Sequence, residues 1–308
     1  MASHQDKACS RRDWMQRVLA AAAVGALPAA GQPAPAPTVR PRLAVCLGSG
    51  SLHGFAHVGA IRAFQRLGLR PDIIAGTSVG AIAGVLWAAG LDAEAIEDLA
   101  RDPSWREVNR LRWPRFGLGR LERLEALIDR HAGPIETLPT RFVAVATDLT
   151  TGLPVTLDRG AAGAAAAASA AVPLRFEPVA IDGRLLVDGA LSAPIPVDAA
   201  RAAGAEITVA LDVAYRPHEA PVTSLMDVAY QSMHILVNRL IDEQIKRATL
   251  PIRLNVHALI EQDASLQSVI LAGEQAVVDR WPALRSYSAP SARPTSPSPC
   301  HDEGPAQP

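Results

Sequence analysis

Ile73-Ile74-Ala75-Gly76-Thr77-Ser78-Val79-Gly80-Ala81-Ile82-Ala83-Gly84-Val85-Leu86 joins a short apolar run, a serine between glycines and a helix-period apolar run without a break. The pentapeptide Gly76-Thr77-Ser78-Val79-Gly80 has the form G-x-S-x-G. In a strand–turn–helix context a sharp turn lifts the serine Oγ above the sheet, and the glycines allow the crowded backbone. The first amides of the following helix point at the same place and favour negative charge there. A tight turn with an incidental serine is the alternative, and the context favours Ser78 as a nucleophile, with Gly76, Thr77 and Gly80 forming its elbow.

Working outward, Leu43–Leu47, Phe142–Ala146, Ile207–Leu211 and Ile252–Val256 read as further buried strands beside Ile73–Ala75. Helix-period segments cover Val58–Leu67, Val79–Ala89 and Ser224–Ala248. This alternation predicts an α/β fold with a mostly parallel sheet covered on both faces by helices. Ligands in such sheets bind beyond the carboxyl ends of the strands. Gly48-Ser49-Gly50-Ser51-Leu52-His53-Gly54 follows the first strand, and amides in such a turn can converge on an oxyanion. A dinucleotide fingerprint fits poorly, because His53 stands where its third glycine belongs. Leu186-Val187-Asp188-Gly189-Ala190 follows another apolar pair. Asp-Gly is ordinarily a turn, but Asp188 could take the Ser78 proton directly if it were close and partly desolvated.

These three elements together resemble the patatin-like phospholipases, with support from GFAHVGAIRAF (Gly54–Phe64) and GRLLVDGALSAPIPVDAAR (Gly183–Arg201). The resemblance covers about Arg42 to Tyr287. It implies a three-layer α/β/α sandwich and a Ser–Asp dyad without histidine, with Ser78 as nucleophile, Asp188 as base, and Gly48, Gly50, Ser51 and Leu52 in the oxyanion loop. The activity implied is that of a lipolytic esterase, phospholipase A or lysophospholipase working through an acyl-enzyme on a lipid or other ester, and no cofactor is implied. Four positions depart from the family pattern: Ser49 and Ser51 replace glycines, His53 replaces a basic residue, and Ala190 replaces the second glycine after Asp188. His53 either orients the loop or makes a structural hydrogen bond. His53 and His57 have the spacing of a metal pair, but no third ligand stands near them in sequence, so no metal is expected. Two rival functions stay open. One is a Ser–His–Asp hydrolase using His218, His234 or His257, and the other is a non-catalytic lipid-binding protein on the same fold.

A formal net charge of -1 over 308 residues offers no basic footprint for nucleic acid. The 49% hydrophobic content is ample for a core. Cys9, Cys46 and Cys300 make no disulfide framework, and Cys46 reads as a small core residue. Arg11-Arg12, followed by the apolar run Val18–Ala30, resembles a twin-arginine export signal over residues 1–31, which predicts a periplasmic or secreted protein. A Pro/Ala linker then fills 32–41, the enzyme domain 42–287, and a Pro/Ser-rich tail of disordered composition 288–308. Trp105, Trp113 and Phe116, interleaved with arginines, are expected to anchor a surface connector rather than form an interfacial lid. In the segment Ser224–Ala248, the spacing of Leu225, Val228, Ala229, Leu236 and Leu240 predicts core packing.

Overall fold

A computed structural model of the chain describes residues 40–101, 119, 121–214, 216, 222–254 and 265–288. The segment expected to be an export signal, most of the expected linker, the expected tail beyond Ser288, and Trp105, Trp113, Phe116, His218 and His257 lie outside the described residues.

β1 (Leu43–Leu47) is apolar throughout and buried on both faces, as a central parallel strand must be. Around it lie β2 (Ile73–Thr77), β3 (Arg141–Asp148), β4 (Pro154–Leu157), β5 (Val179–Ile181), β6 (Arg184–Asp188), β7 (Ile207–Asp212) and β8 (Leu250–Arg253). The sheet order is β5-β6-β3-β2-β1-β7-β8, with β4 also paired to β3. From β3 to β8 the strands are parallel, while β4, β5 and β6 join antiparallel at one side. The chain leaves β1 toward β2 on one side and later returns to β7 on the other. The carboxyl end of β1 is therefore a topological switch point, where a crevice opens.

The helices are α1 (Phe55–Arg66), α2 (Val79–Ala88), α3 (Ala93–Arg101), α4 (Glu122–Asp129), α5 (Ala162–Ser169), α6 (Val197–Ala202), α7 (Leu225–Gln244) and α8 (Leu266–Ser288). Alternate β1 side chains enter different cores. Leu43, Val45 and Leu47 pack with Ile61 and Phe64 of α1, Val85 of α2, Ile128 of α4 and Ile270 of α8. Ala44 and Cys46 pack with Val197 and Ala200 of α6 and Val237 and Ile241 of α7. This is the expected three-layer α/β/α arrangement. Burial pushes the Cys46 thiol up to about 12, so it is an inert core group.

α7 departs from the sequence expectation. Val237, Asn238 and Ile241 are its buried residues, whereas Leu225, Val228 and Leu236, expected in the core, are exposed. A helix lying on the surface has one buried face, and the sequence of α7 is apolar on two. Among the described residues, no helix is long and apolar enough to cross a membrane.

Candidate active site

Strand register places Ser78 and Asp188. Thr77 pairs with Val145 across β2 and β3, so the next residue, Ser78, falls level with Ala146. Ala146 in turn pairs with Asp188 across β3 and β6. Ser78 and Asp188 thus flank the same point of β3, with backbones two strand spacings or roughly 10 Å apart, and their side chains close that gap. Ser78 Oγ donates to Asp188 Oδ2 at 2.7 Å, with no histidine between them.

Ser78 has φ 57° and ψ −125°, a left-handed position for a non-glycine residue, and its carbonyl accepts the first bonds of α2 from Ala81 and Ile82. Such a conformation costs on the order of 1–3 kcal/mol and persists only where its surroundings hold it. Two glycines permit it by close approach. A Cβ on Gly76 would lie 2.5 Å from the Ala81 Cα, and one on Gly80 2.1 Å from the Leu47 carbonyl oxygen. The Ser78 amide donates to Ser169 Oγ at 2.8 Å, and that hydroxyl donates to the Val145 carbonyl at 2.6 Å. Thr77 Oγ1 donates to the Ala193 carbonyl at 2.8 Å. Ser169, fully buried at the end of α5, went unrecognised in the sequence, where it sits inside an alanine run.

Asp188 is the last residue of β6 and is buried. Burial pushes its carboxyl up to about 6, against the opposing hydrogen bonds from Ser78 and from the Ala190 amide. The Ala190 amide donates to Oδ1 at 2.7 Å. This bond needs only an N–H, so alanine serves where the family pattern has glycine. Thr147 Oγ1 donates to the Asp188 carbonyl at 2.9 Å, which fixes the backbone.

The loop after β1 divides into two parts. The Gly48 amide donates to the Leu211 carbonyl at 3.0 Å and the Ser49 amide to that of Pro194 at 2.9 Å, so these two amides tie the loop down. Among the described residues, the amides of Gly50 and Ser51 have no such carbonyl. Ser51, at φ 49°, starts a helical turn over Ser51–Gly54 in which His53 and Gly54 are buried, and the His53 amide bonds back to Gly50. Leu52 is exposed. His57 is buried in α1, and burial lowers its ring to about 4, so it is neutral. Its Nε2 lies 2.8 Å from the Gly48 carbonyl, to which the neutral ring donates. His57 therefore braces the loop from inside and is not turned outward as half of a metal pair.

Two cavities meet at this point, and Ser51, Ser78, Val172 and Arg175 line both. One, of about 160 Å³, is walled by apolar side chains including Val58, Ile82, Leu86, Leu124 and Phe176. The other, of about 320 Å³, is bounded by Asp188, Tyr230, Met233 and His234. His234 thus shares a cavity with Ser78, and its burial lowers its affinity for a proton.

The sequence family described as patatin-like phospholipase matches residues 45–201, just over half of the chain. An uncharacterized NTE family protein of Mycobacterium tuberculosis is 39% identical over 179 residues, which cover 56% of this chain and 49% of that protein. The chain thus spans about half the length of this relative and of two other mycobacterial relatives of the same identity, and less of others. Patatin-like phospholipase domain-containing protein 7 of Rattus norvegicus is 32% identical over 189 residues, covering 56% of this chain and 14% of the relative. Among solved structures, VipD from Legionella pneumophila aligns with a TM-score of 0.46 at 13% identity, covering 79% of this chain and 67% of that one.

Proposed function

The chain belongs to the patatin-like phospholipase family, and on that premise we propose that it is a lipolytic serine acyl hydrolase with Ser78 as nucleophile and Asp188 as its only base. The observation that carries this reading is the 2.7 Å bond from Ser78 Oγ to a buried carboxylate whose proton affinity is raised. A carboxylate made more basic by burial is a better match for general-base work near neutral pH. As Ser78 attacks the ester carbonyl, Asp188 takes the Oγ proton. The amides of Gly50 and Ser51 meet the oxyanion, a role worth roughly 2.7–4 kcal/mol per donor. Collapse breaks the bond to the alcohol, which leaves with the proton from Asp188, and the acyl group stays on Ser78. Water then gives a proton to Asp188 and attacks the acyl carbonyl. The second collapse returns that proton to Oγ and releases the acid. The apolar cavity suits the acyl chain, and the cavity beside Asp188 suits the alcohol or head group.

Labelling with a fluorophosphonate probe, followed by turnover of a panel of esters and phospholipids, tests the proposal. Wild type should label and hydrolyse, Ser78→Ala should do neither, and Asp188→Asn should lose turnover. A wild type that neither labels nor hydrolyses would leave a lipid-binding protein on this fold. The position of His234 in the same cavity supports a second reading, a histidine-assisted hydrolase. Under the dyad, His234→Ala keeps Ser78 labelling, and loss of labelling in that variant would favour the histidine.

A further inference from the structure

α7 is apolar on two faces, and the core needs one of them. Val237 and Ile241 are buried, and Tyr230, Met233 and His234 line the cavity beside Asp188. On the other side of the helix Leu225 is 83% exposed, Val228 50%, Ile235 45% and Leu236 62%. At 3.6 residues per turn these four fall within a stripe about 100° wide. Arg239, also exposed, continues the same stripe one turn on. Two more exposed leucines stand at the cavities themselves. Leu52 lines the apolar one and is 69% exposed, and Leu174 lies between Pro173 and Arg175, which both line the cavity beside Asp188.

We propose that the outer stripe of α7, together with Leu52 and Leu174, seats the protein on a lipid surface, with α7 lying in the plane of the interface above the cavity it roofs. Scattered exposed aliphatics need no explanation, but a row along one helix beside a cavity does. An interfacial helix buries an apolar face at the head-group boundary while its basic side chains reach the phosphates, and Arg239 within the row has the required charge and reach, while the exposed Glu243 one turn on is paired with Lys246 at 2.8 Å. A second copy of the chain is a poorer occupant, because a standard protein interface engages roughly 20–30 residues a side and this row has four large side chains. The role in substrate delivery rests on the lipolytic reading, but attachment itself can be measured without turnover.

The test uses the whole chain carrying Ser78→Ala, so that vesicles stay intact and the N-terminal segment contributes equally to every variant. Binding is measured by co-sedimentation with extruded phosphatidylcholine vesicles, with and without phosphatidylglycerol. Leu225→Ser with Leu236→Ser should weaken binding at least tenfold, and Leu225→Ser alone should weaken it measurably. The exposed pair Leu149→Ser with Leu185→Ser, outside both cavities, should leave binding unchanged. With Ser78 restored, the α7 variant should keep turnover of a soluble short-chain ester and lose turnover of vesicle lipid. Unchanged vesicle binding in the α7 variant, or equal loss in both pairs, overturns the proposal. So does a wild-type dimer in sedimentation velocity that the α7 variant dissociates without altered vesicle binding. Absence of labelling and turnover with the α7-dependent binding intact would remove the hydrolase reading and leave the docking surface standing.

Discussion

A carboxylate near its ordinary value of 3.8 is a weak acceptor for a serine proton, and burial moves Asp188 to about 6. On the proposed dyad the base must be ionised to act, so kcat/KM for a soluble ester should fall about tenfold per pH unit below about pH 6, and a pH–rate profile checks this. Ser169 acts at one remove, because its hydroxyl links the strained Ser78 amide to β3. Ser169→Ala should lower kcat by about ten- to a hundredfold, as small misplacements of a nucleophile do, with KM and the acid limb of the pH profile unchanged. The strand–turn–helix setting of Ser78 was legible because its signal is local, a glycine-flanked serine between strand and helix. The pairing of Asp188 with Ser78 needed the resemblance, since Asp-Gly alone reads as a turn. Ser169 was illegible, because its role arises from a contact with a residue 91 positions away.

The central strands could be read from the sequence because both of their faces are buried, which leaves unbroken apolar runs. β4 and β5, short and half-exposed at the antiparallel side, left no such run. The crossing of α1 and α8 was equally hidden. A Cβ on Gly59 would meet the Ile270 carbonyl oxygen at 1.7 Å, and one on Gly273 that of Ala56 at 1.9 Å, so the two helices touch backbone to backbone. Gly273→Ala should therefore destabilise the protein by about 1–3 kcal/mol, as overpacking does, measured by denaturant unfolding. Because α1 also carries His57, which braces the Gly48 carbonyl, the same variant should slow acylation of Ser78 by the probe. α7 was misread for a related reason. Its apolar spacing was real, but the spacing could not say which face meets the core.

Two buried groups act in opposite directions on the stability of the whole molecule. His57 is lowered from 6.5 to about 4, so on acidification the unfolded chain takes up a proton that the folded one refuses. Its contribution is fully present above pH 6.5 and is lost as pH falls toward 4. Asp188 is raised from 3.8 to about 6, so the folded chain takes up its proton first and gains stability as pH falls through that window. Each effect is on the order of 3 kcal/mol, and they oppose each other over the same pH window. The melting temperature of Asp188→Asn should therefore drop on acidification from pH 6.5 to 4 more steeply than that of wild type, and should exceed the wild-type value at pH 7. On the proposed lipolytic reading, the meeting of two cavities at Ser51 and Ser78 has a kinetic consequence. If the acid and the alcohol leave by different rooms, each product can stay bound while the other is present. Inhibition by a fatty acid and by the matching alcohol should then be mutually non-exclusive, giving intersecting rather than parallel lines in a double-inhibition plot.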